Sequence, residues 1–162
     1  MDAIEIKNLI ESELNIAVEW DEKSDRITVQ PIHLISVCDF LWRNPATYFD
    51  SLSCLTAIDN GPENGKLEII YTLYSIPNRV TFHIRLEVPR WQENGELPVV
   101  PSLSGIWKTA NWHEREAFDL VGVVFEGHPD MTRILLPADW EGHPLRKDYV
   151  EQDKYHGIQV KF

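Results

Sequence analysis

The hydrophobic positions change period several times along the chain, and each change predicts an element. Between Asp2 and Leu14, residues Ile6, Leu9, Ile10 and Leu14 share one face of a 3.6-residue repeat, with Glu5, Lys7, Asn8 and Glu11 around the rest. This predicts a first helix. Ile16, Val18 and Trp20 then alternate, residues 21–25 supply a polar turn, and Ile27 and Val29 alternate again, the pattern of a hairpin. Pro31 suits the first turn of a second helix, because its missing N–H would be unpaired there anyway. Leu34, Val37, Cys38, Leu41 and Trp42 follow at helical spacing, and Asn44-Pro45 stops them.

From Tyr48 to Val88 the period falls to two. Three runs are predicted as strands: Tyr48–Asp59, Leu67–Tyr74 and Arg79–Val88. The polar segment 60–65 and the segment 75–78 join them, and connections this short favour an antiparallel meander. In the third run Val80, Phe82, Ile84, Leu86 and Val88 share one face, and Thr81, His83, Arg85 and Glu87 share the other. One face of the sheet is therefore expected to meet solvent or a partner. A polar, proline-bearing loop over 90–101 leads to a last helix, expected to begin near Ser102 or Ser104. It carries Ile106, Trp107, Ala110, Ala117, Phe118 and Val121, with a break near Asn111, and Gly122 ends it. After Val123 the periodicity fades among Pro129, Pro137 and Pro144.

These elements predict an α+β fold: a mainly antiparallel sheet with helices packed on one face, plus an extended C-terminal arm. The boundary falls at Gly122, giving an α+β domain over 1–122 and an irregular arm over 123–162 for docking a partner.

Composition narrows the function classes. The formal net charge is −11, which argues against a nucleic-acid backbone or an anionic lipid surface as the main partner. The start, Met1-Asp2-Ala3-Ile4-Glu5, has no basic region followed by an apolar core, and no apolar run is long enough to span a bilayer. The expectation is a soluble chain, held at any membrane only through something else. The two cysteines, Cys38 and Cys54, are too few for an iron–sulfur cluster, and both are expected as buried free thiols in a reducing compartment.

Three constellations could carry chemistry. In Trp112-His113-Glu114-Arg115-Glu116-Ala117-Phe118-Asp119, an acid–base or metal reading would use His113, Glu114 and Glu116. Zinc helices usually carry a second His four residues away, and Thr109 and Ala117 stand there instead. The spacing favours an ion-pair network, with Arg115 and Asp119 four apart and able to pair. Gly127-His128-Pro129 recurs as Gly142-His143-Pro144, and with His113 and His156 this gives four histidines at no metal spacing. Turns whose imidazoles bond backbone carbonyls or carboxylates fit better. In Leu145-Arg146-Lys147-Asp148-Tyr149, Arg146 is expected to make a forked contact with a carboxylate. An irregular arm bearing Trp140, Arg146 and Tyr149 suits an interface, with packing onto its own domain as the rival arrangement. No phosphate loop, nucleophile elbow, Cys-x-x-Cys or dinucleotide fingerprint is present.

One ordered set of residues goes further. Glu114-Arg115-Glu116, Asp119-Leu120, Gly122, Phe125, Gly127-His128-Pro129, Arg133-Ile134-Leu135, Trp140 and Gly142 to Tyr149 together resemble the signature of the complex I 30 kDa subunit family. Two positions depart from it. The family often has two basic residues before Ile-Leu, where this chain has Thr132-Arg133, and a proline where it has Val150.

The resemblance implies a non-catalytic assembly subunit in the quinone-reducing module of a proton-pumping NADH–quinone oxidoreductase. The whole complex would use NAD, FMN, iron–sulfur clusters and quinone, and this chain would hold none of them. It implies docking on the 49 kDa-type subunit and other peripheral-arm subunits, at the cytoplasmic face of a bacterial inner membrane. On this view Glu114, Arg115, Glu116, Asp119, His128, Arg133, Trp140, His143, Arg146, Lys147, Asp148 and Tyr149 form the signature and partner interface. Two other readings stay open. One is the equivalent subunit of a membrane-bound hydrogenase or a ferredoxin- or F420-dependent dehydrogenase. The other is a stand-alone metal enzyme using His113, His128 and His143.

Overall fold

A computed structural model describes residues 1–161; the last residue of the expected arm, Phe162, lies outside them. Helix α1 spans Ala3–Leu14 and starts in a capping box. The Asp2 carboxylate accepts the Glu5 N–H at 2.8 Å, and the Glu5 carboxylate accepts the Asp2 N–H at 2.8 Å. Strands β1 (Glu19–Asp21) and β2 (Arg26–Thr28) form the expected hairpin, and a 3-10 turn over Pro31–His33 leads into α2 (Leu34–Arg43).

The meander follows as β3 (Ser51–Asp59), β4 (Lys66–Ser75) and β5 (Val80–Pro89). The sheet order is β1-β2-β5-β4-β3, antiparallel throughout except for the parallel contact of β2 with β5. Leu67, Ile69, Tyr71 and Leu73 of β4 and Phe82, Ile84, Leu86 and Val88 of β5 are buried, and form one core with Ile6, Ile10, Leu34, Val37, Cys38 and Leu41. The helices thus cover one face. Thr81, His83, Arg85 and Glu87 lie on the other, exposed or half-buried.

The structure corrects several expectations. Tyr48 is not in a strand: it has φ 33°, and its N–H closes a turn onto the Asn44 carbonyl at 2.7 Å. Cys54 is exposed, whereas Cys38 is buried. A register shift between Leu52 and Cys54 sets Cys54 opposite Thr72, on the face away from the helices. The last helix, α3, spans Ala110–Val121 and starts well after Ser104. The Ser102 and Ser104 hydroxyls bond each other at 2.7 Å rather than capping, and turns over 103–110 precede the helix.

Short pairings also appear where the sequence shows no period. The expected loop contains β6 (Val99–Pro101), which pairs in parallel with β7 (Val124–Glu126), so α3 is the crossover between them. A small hairpin, β8 (Lys154–Tyr155) and β9 (Ile158–Gln159), lies near the end. Strands this brief carry too few residues for alternation to register. Among the described residues no helix is long and apolar enough to cross a membrane.

Candidate functional site

The site is built around the C-terminus of α3. Trp107 and Thr109 seat the segment before the helix on the start of β3: the indole N–H donates to the Phe49 carbonyl at 3.0 Å and the Thr109 hydroxyl to the Leu52 carbonyl at 3.1 Å. α3 then runs along β3 with Ala110, Ala117 and Val121 in the core. Glu114 is fully buried on that side. Its carboxylate accepts from the Ser102 hydroxyl at 2.6 Å and the Leu103 N–H at 2.7 Å. Burial raises its pKa above the ordinary value, and these two bonds oppose the rise without cancelling it.

A helix leaves its last carbonyls without intrahelical partners, and buried carbonyls need one. Here almost all of the partners come from the arm. The Gly122 N–H closes on the Ala117 and Phe118 carbonyls at 3.1 and 3.0 Å. The Asp119 carbonyl accepts from Arg133 Nη1 and from His143 Nδ1, both at 3.0 Å. The Leu120 carbonyl accepts the Leu145 N–H at 2.9 Å. The Val121 carbonyl accepts Arg146 Nε, and the Gly122 carbonyl accepts Arg146 Nη2 at 3.1 Å. Arg146 also reaches the Arg90 carbonyl at 3.2 Å and lies over the Trp91 ring, 4.7 Å from its centre. A guanidinium at a helix C-terminus meets the negative end of the helix dipole. Burial nevertheless lowers the Arg146 pKa, with the nearby Arg90 charge adding to the effect.

Arg146 therefore makes no forked contact with a carboxylate. Backbone carbonyls crowd its planar donors, and the fork belongs to Arg90. Arg90 Nε and Nη2 grip the two oxygens of buried Asp59 at 2.7 and 2.9 Å, and Nη2 also meets Asp148. Asp59 further accepts the N–H groups of Gly61 at 3.1 Å and Lys147 at 2.8 Å. Burial would raise the Asp59 pKa, but Arg90, Lys147 and Gly61 together hold it below the ordinary carboxylate value.

The expected Arg115–Asp119 pair is also absent. Asp119 is fully buried and turns toward the arm. Its Oδ1 meets Arg133 Nη1 at 2.7 Å, and its Oδ2 accepts the N–H groups of Ile134, Leu135 and Leu136 at 3.1, 2.7 and 2.9 Å. Burial raises its pKa, and the Leu136, Arg133, Leu135 and Ile134 donors outweigh that and lower it. With Asp119 so committed, Arg115 donates to Thr132 O at 3.0 Å, Thr132 Oγ1 at 3.2 Å and Arg133 O at 3.0 Å. Thr132, one of the two departures from the family pattern, thus takes part through its backbone and its hydroxyl.

The repeated Gly-His-Pro turns use their imidazoles on the backbone. His128 Nδ1 accepts the Asp130 N–H at 3.0 Å, so Nε2 carries the proton and donates to the Asn111 carbonyl at 3.0 Å. His143 Nδ1 faces the Asp119 carbonyl and must be the donor. Its ring lies flat on Gly122, where a Cβ would fall 2.6 Å from Cδ2, so only glycine fits. Gly122 also has φ 76°, the left-handed conformation that ends α3. Burial lowers the His143 pKa, and Arg133 and Arg146 lower it further. Trp140 Nε1 donates to the Tyr149 hydroxyl at 3.0 Å, and Tyr149 packs on Gly142. Arg133 Nη2 closes the turn on the carbonyls of Trp140 and Gly142 at 2.9 and 2.8 Å.

The structure thus gathers Arg115, Asp119, Arg133, Trp140, His143 and Tyr149 into one cluster and Arg146, Lys147 and Asp148 into a second, joined through residues 121 and 122. Glu114 stays beneath them, Glu116 is exposed, His113 is half-buried, and His156 meets Asp139 at 2.7 Å. Among the described residues no group of three or more His, Cys, Asp or Glu is arranged to hold a metal ion. Asp59 and Arg90 were missed by sequence reasoning. The available signal was slight: Asp59 is the one charge in β3, at its last position, and Arg90 is the one basic residue in the loop between β5 and β6.

Fold and site together define an α+β domain in which a polar signature holds the C-terminal segment to the end of a helix. The family of the respiratory-chain NADH dehydrogenase 30 Kd subunit matches residues 27–155, and the chain belongs to that family. It is 43% identical over 125 residues to a protein of Rhizobium etli named as a C-type subunit of NADH-quinone oxidoreductase, covering 77% of this chain and 64% of that protein. It is 44% identical over 127 residues to the C-type subunit of the NADH-quinone oxidoreductase of Chloroherpeton thalassium, covering 78% of this chain and 50% of that one. The chain therefore spans between half and just under two thirds of these relatives. A solved structure described as the membrane-bound sulfane sulfur reductase, an archaeal respiratory membrane complex, contains a chain of similar fold. Its TM-score is 0.68 at 24% identity, over 91% of this chain and 84% of that one.

Proposed function

We propose that this chain is a non-catalytic assembly subunit of the peripheral arm of a proton-pumping NADH–quinone oxidoreductase, in its quinone-reducing module. The observation that carries the reading is the family match over residues 27–155, within which every buried charged group of the signature is spent on internal hydrogen bonds. Residues committed in this way are not free to act as acid, base or ligand. They shape a surface. Relatives named as C-type subunits of NADH-quinone oxidoreductase support the choice of this complex over a hydrogenase or a ferredoxin- or F420-dependent dehydrogenase. The NAD, FMN, iron–sulfur clusters and quinone of such a complex would sit in other subunits.

The partner would be a 49 kDa-type subunit, reached by the outer side of the arm, and the chain would lie at the cytoplasmic face of a bacterial inner membrane through that complex. The exposed Leu135, Leu145 and Val150 and the half-exposed Trp91 border the buried clusters and would provide apolar contact. Glu116, Lys147 and the rims of Asp148 and Tyr149 would add polar contacts. Affinity purification from native membranes, with identification of the bound subunits, tests the reading. Co-purification with quinone-module and NADH-module subunits is expected, and recovery of a free monomer alone would contradict it.

A further inference from the structure

The two edges of the main sheet are treated differently. One edge, β1, is three residues long and carries Glu19 and Asp21, a guarded edge. The other, β3, is nine residues long, and from Ser51 to Ile58 it has no charged residue and no proline, although a quarter of the chain is charged. Its only interruption is the bulge between Leu52 and Cys54. The outward N–H and C=O groups over 53–58 have no partner among the described residues.

A cleft of about 200 Å³ runs along this edge. Cys54, Leu55, Thr56 and Ala57 line it as four consecutive residues. Side chains of a strand alternate between faces, so a cleft lying on one face would touch every second residue. Contact with four in a row places it against the strand's backbone edge. Leu120 and Ala117 of α3 and Leu145 of the arm form the apolar part of the opposite wall, with His113 and Glu116 of α3 at its rim, and Leu145 is 59% exposed.

We infer that β3 accepts an extended, uncharged segment of another subunit as a sixth strand, with an apolar side chain of that segment seated between Ala57, Leu120 and Leu145. A row of unpaired backbone groups selects a strand rather than a helix, and the apolar wall selects the side chain. β3 itself offers no ion pair, and the one carboxylate that lines the cleft, Glu116 on the helix wall, is exposed and stays solvated at the rim, so the occupant needs no matching charge. The inference rests on the proposed assembly role, since the strand comes from a neighbouring subunit of the complex.

The two cysteines supply the test. Cys54 stands exposed on β3, while Cys38 is buried and burial raises its thiol pKa well above normal, so it serves as an unreactive internal control. Native membranes and the purified chain are treated with N-ethylmaleimide, and backbone hydrogen exchange is followed over 53–58. We expect Cys54 to label in the isolated chain and to be protected in the complex, with the outward amides of β3 slowed only there. Ile58→Lys, an exposed edge substitution beyond Thr56, whose hydroxyl touches the Cys54 thiol at 3.4 Å and is left in place, should leave the circular dichroism of the chain unchanged and abolish the protection. A chain that co-purifies with other subunits yet labels equally at Cys54 overturns this inference alone. A chain found free of other subunits overturns the assembly reading as well. Protection in the purified chain that grows with concentration, alongside a dimeric mass, would assign the edge to a second copy and overturn the inference.

Discussion

Asp119 and Arg133 meet at 2.7 Å across a separation of fourteen residues, and the same guanidinium nitrogen also bonds the Asp119 backbone carbonyl. One arginine thus holds both the side chain and the main chain of a residue in the last turn of α3. The three N–H groups of 134–136 close on the other carboxylate oxygen. The arm is bent around a single buried anion.

Replacing Asp119 by alanine removes the acceptor for four donors and leaves Arg133 with only carbonyls to meet. Breaking one side of a buried pair costs about 3–5 kcal/mol. Denaturant unfolding should show a loss in that range, with hydrogen exchange rising first over 130–143. A change below about 1 kcal/mol, the usual worth of an exposed pair, would show that the anion is not needed to bend the arm.

Substitution of Gly122 by alanine should be costly for two separable reasons. The φ of 76° strains any side chain, and the new Cβ would meet the His143 ring. Only the second is relieved by removing the ring. A double-mutant cycle of Gly122→Ala with His143→Ala should therefore be non-additive, the pair losing less stability than the two single variants combined. Strict additivity would place the whole cost in the backbone.

The fold was largely legible from the sequence because its central elements are long. α1, α2, β4 and β5 each repeat their pattern several times, and their boundaries fall within a few residues of those read from periodicity. β6 and β7, three residues each, were invisible because their pairing is a contact across α3. The site was legible as composition and illegible as geometry. Helical spacing pairs Arg115 with Asp119 correctly for an isolated helix, but burial gave Asp119 stronger partners from a segment with no period of its own. Asp59, Arg90 and Arg146 illustrate the same limit. Arg90 reaches Asp59 only because β3, β4 and β5 stack in register, and Arg146 finds its carbonyls only where α3 stops.

Arg146→Lys should behave as a disruptive change. A lysine ammonium is a point donor and cannot span the carbonyls of Val121, Gly122 and Arg90 while lying flat on Trp91. Hydrogen bonds to a charged group are worth about 1.5–3 kcal/mol each, so loss of more than one should be evident in thermal unfolding. The chain has six tryptophans, so the local readout is the Trp91 indole N–H signal in a nitrogen-15 NMR spectrum, which should shift because its stacking partner is withdrawn. An unchanged spectrum and unchanged unfolding would mean that the guanidinium shape is dispensable.

The pH dependence of stability should have two opposing parts. Asp59, Asp119 and Asp148 have folded-state pKa values below 3.8, and His143 lies below 6.5. Groups lowered on folding contribute stability above their unfolded values and lose it as pH falls through the folded ones. The arm should therefore loosen on acidification, with the carboxylate share lost below pH 3.8. Glu114 runs the other way. Its pKa is raised from 4.5, so its contribution is full below that value and declines as pH rises through the folded one. Glu114→Gln abolishes the charge that burial opposes, and Ser102 and Leu103 can still donate to the amide oxygen. Stability measured by urea unfolding from pH 2 to pH 8 should keep its acid limb in Glu114→Gln and lose the decline above it. Asp119→Asn should do the reverse, flattening the acid limb. If both variants keep the parent profile, neither carboxylate governs how the arm is held.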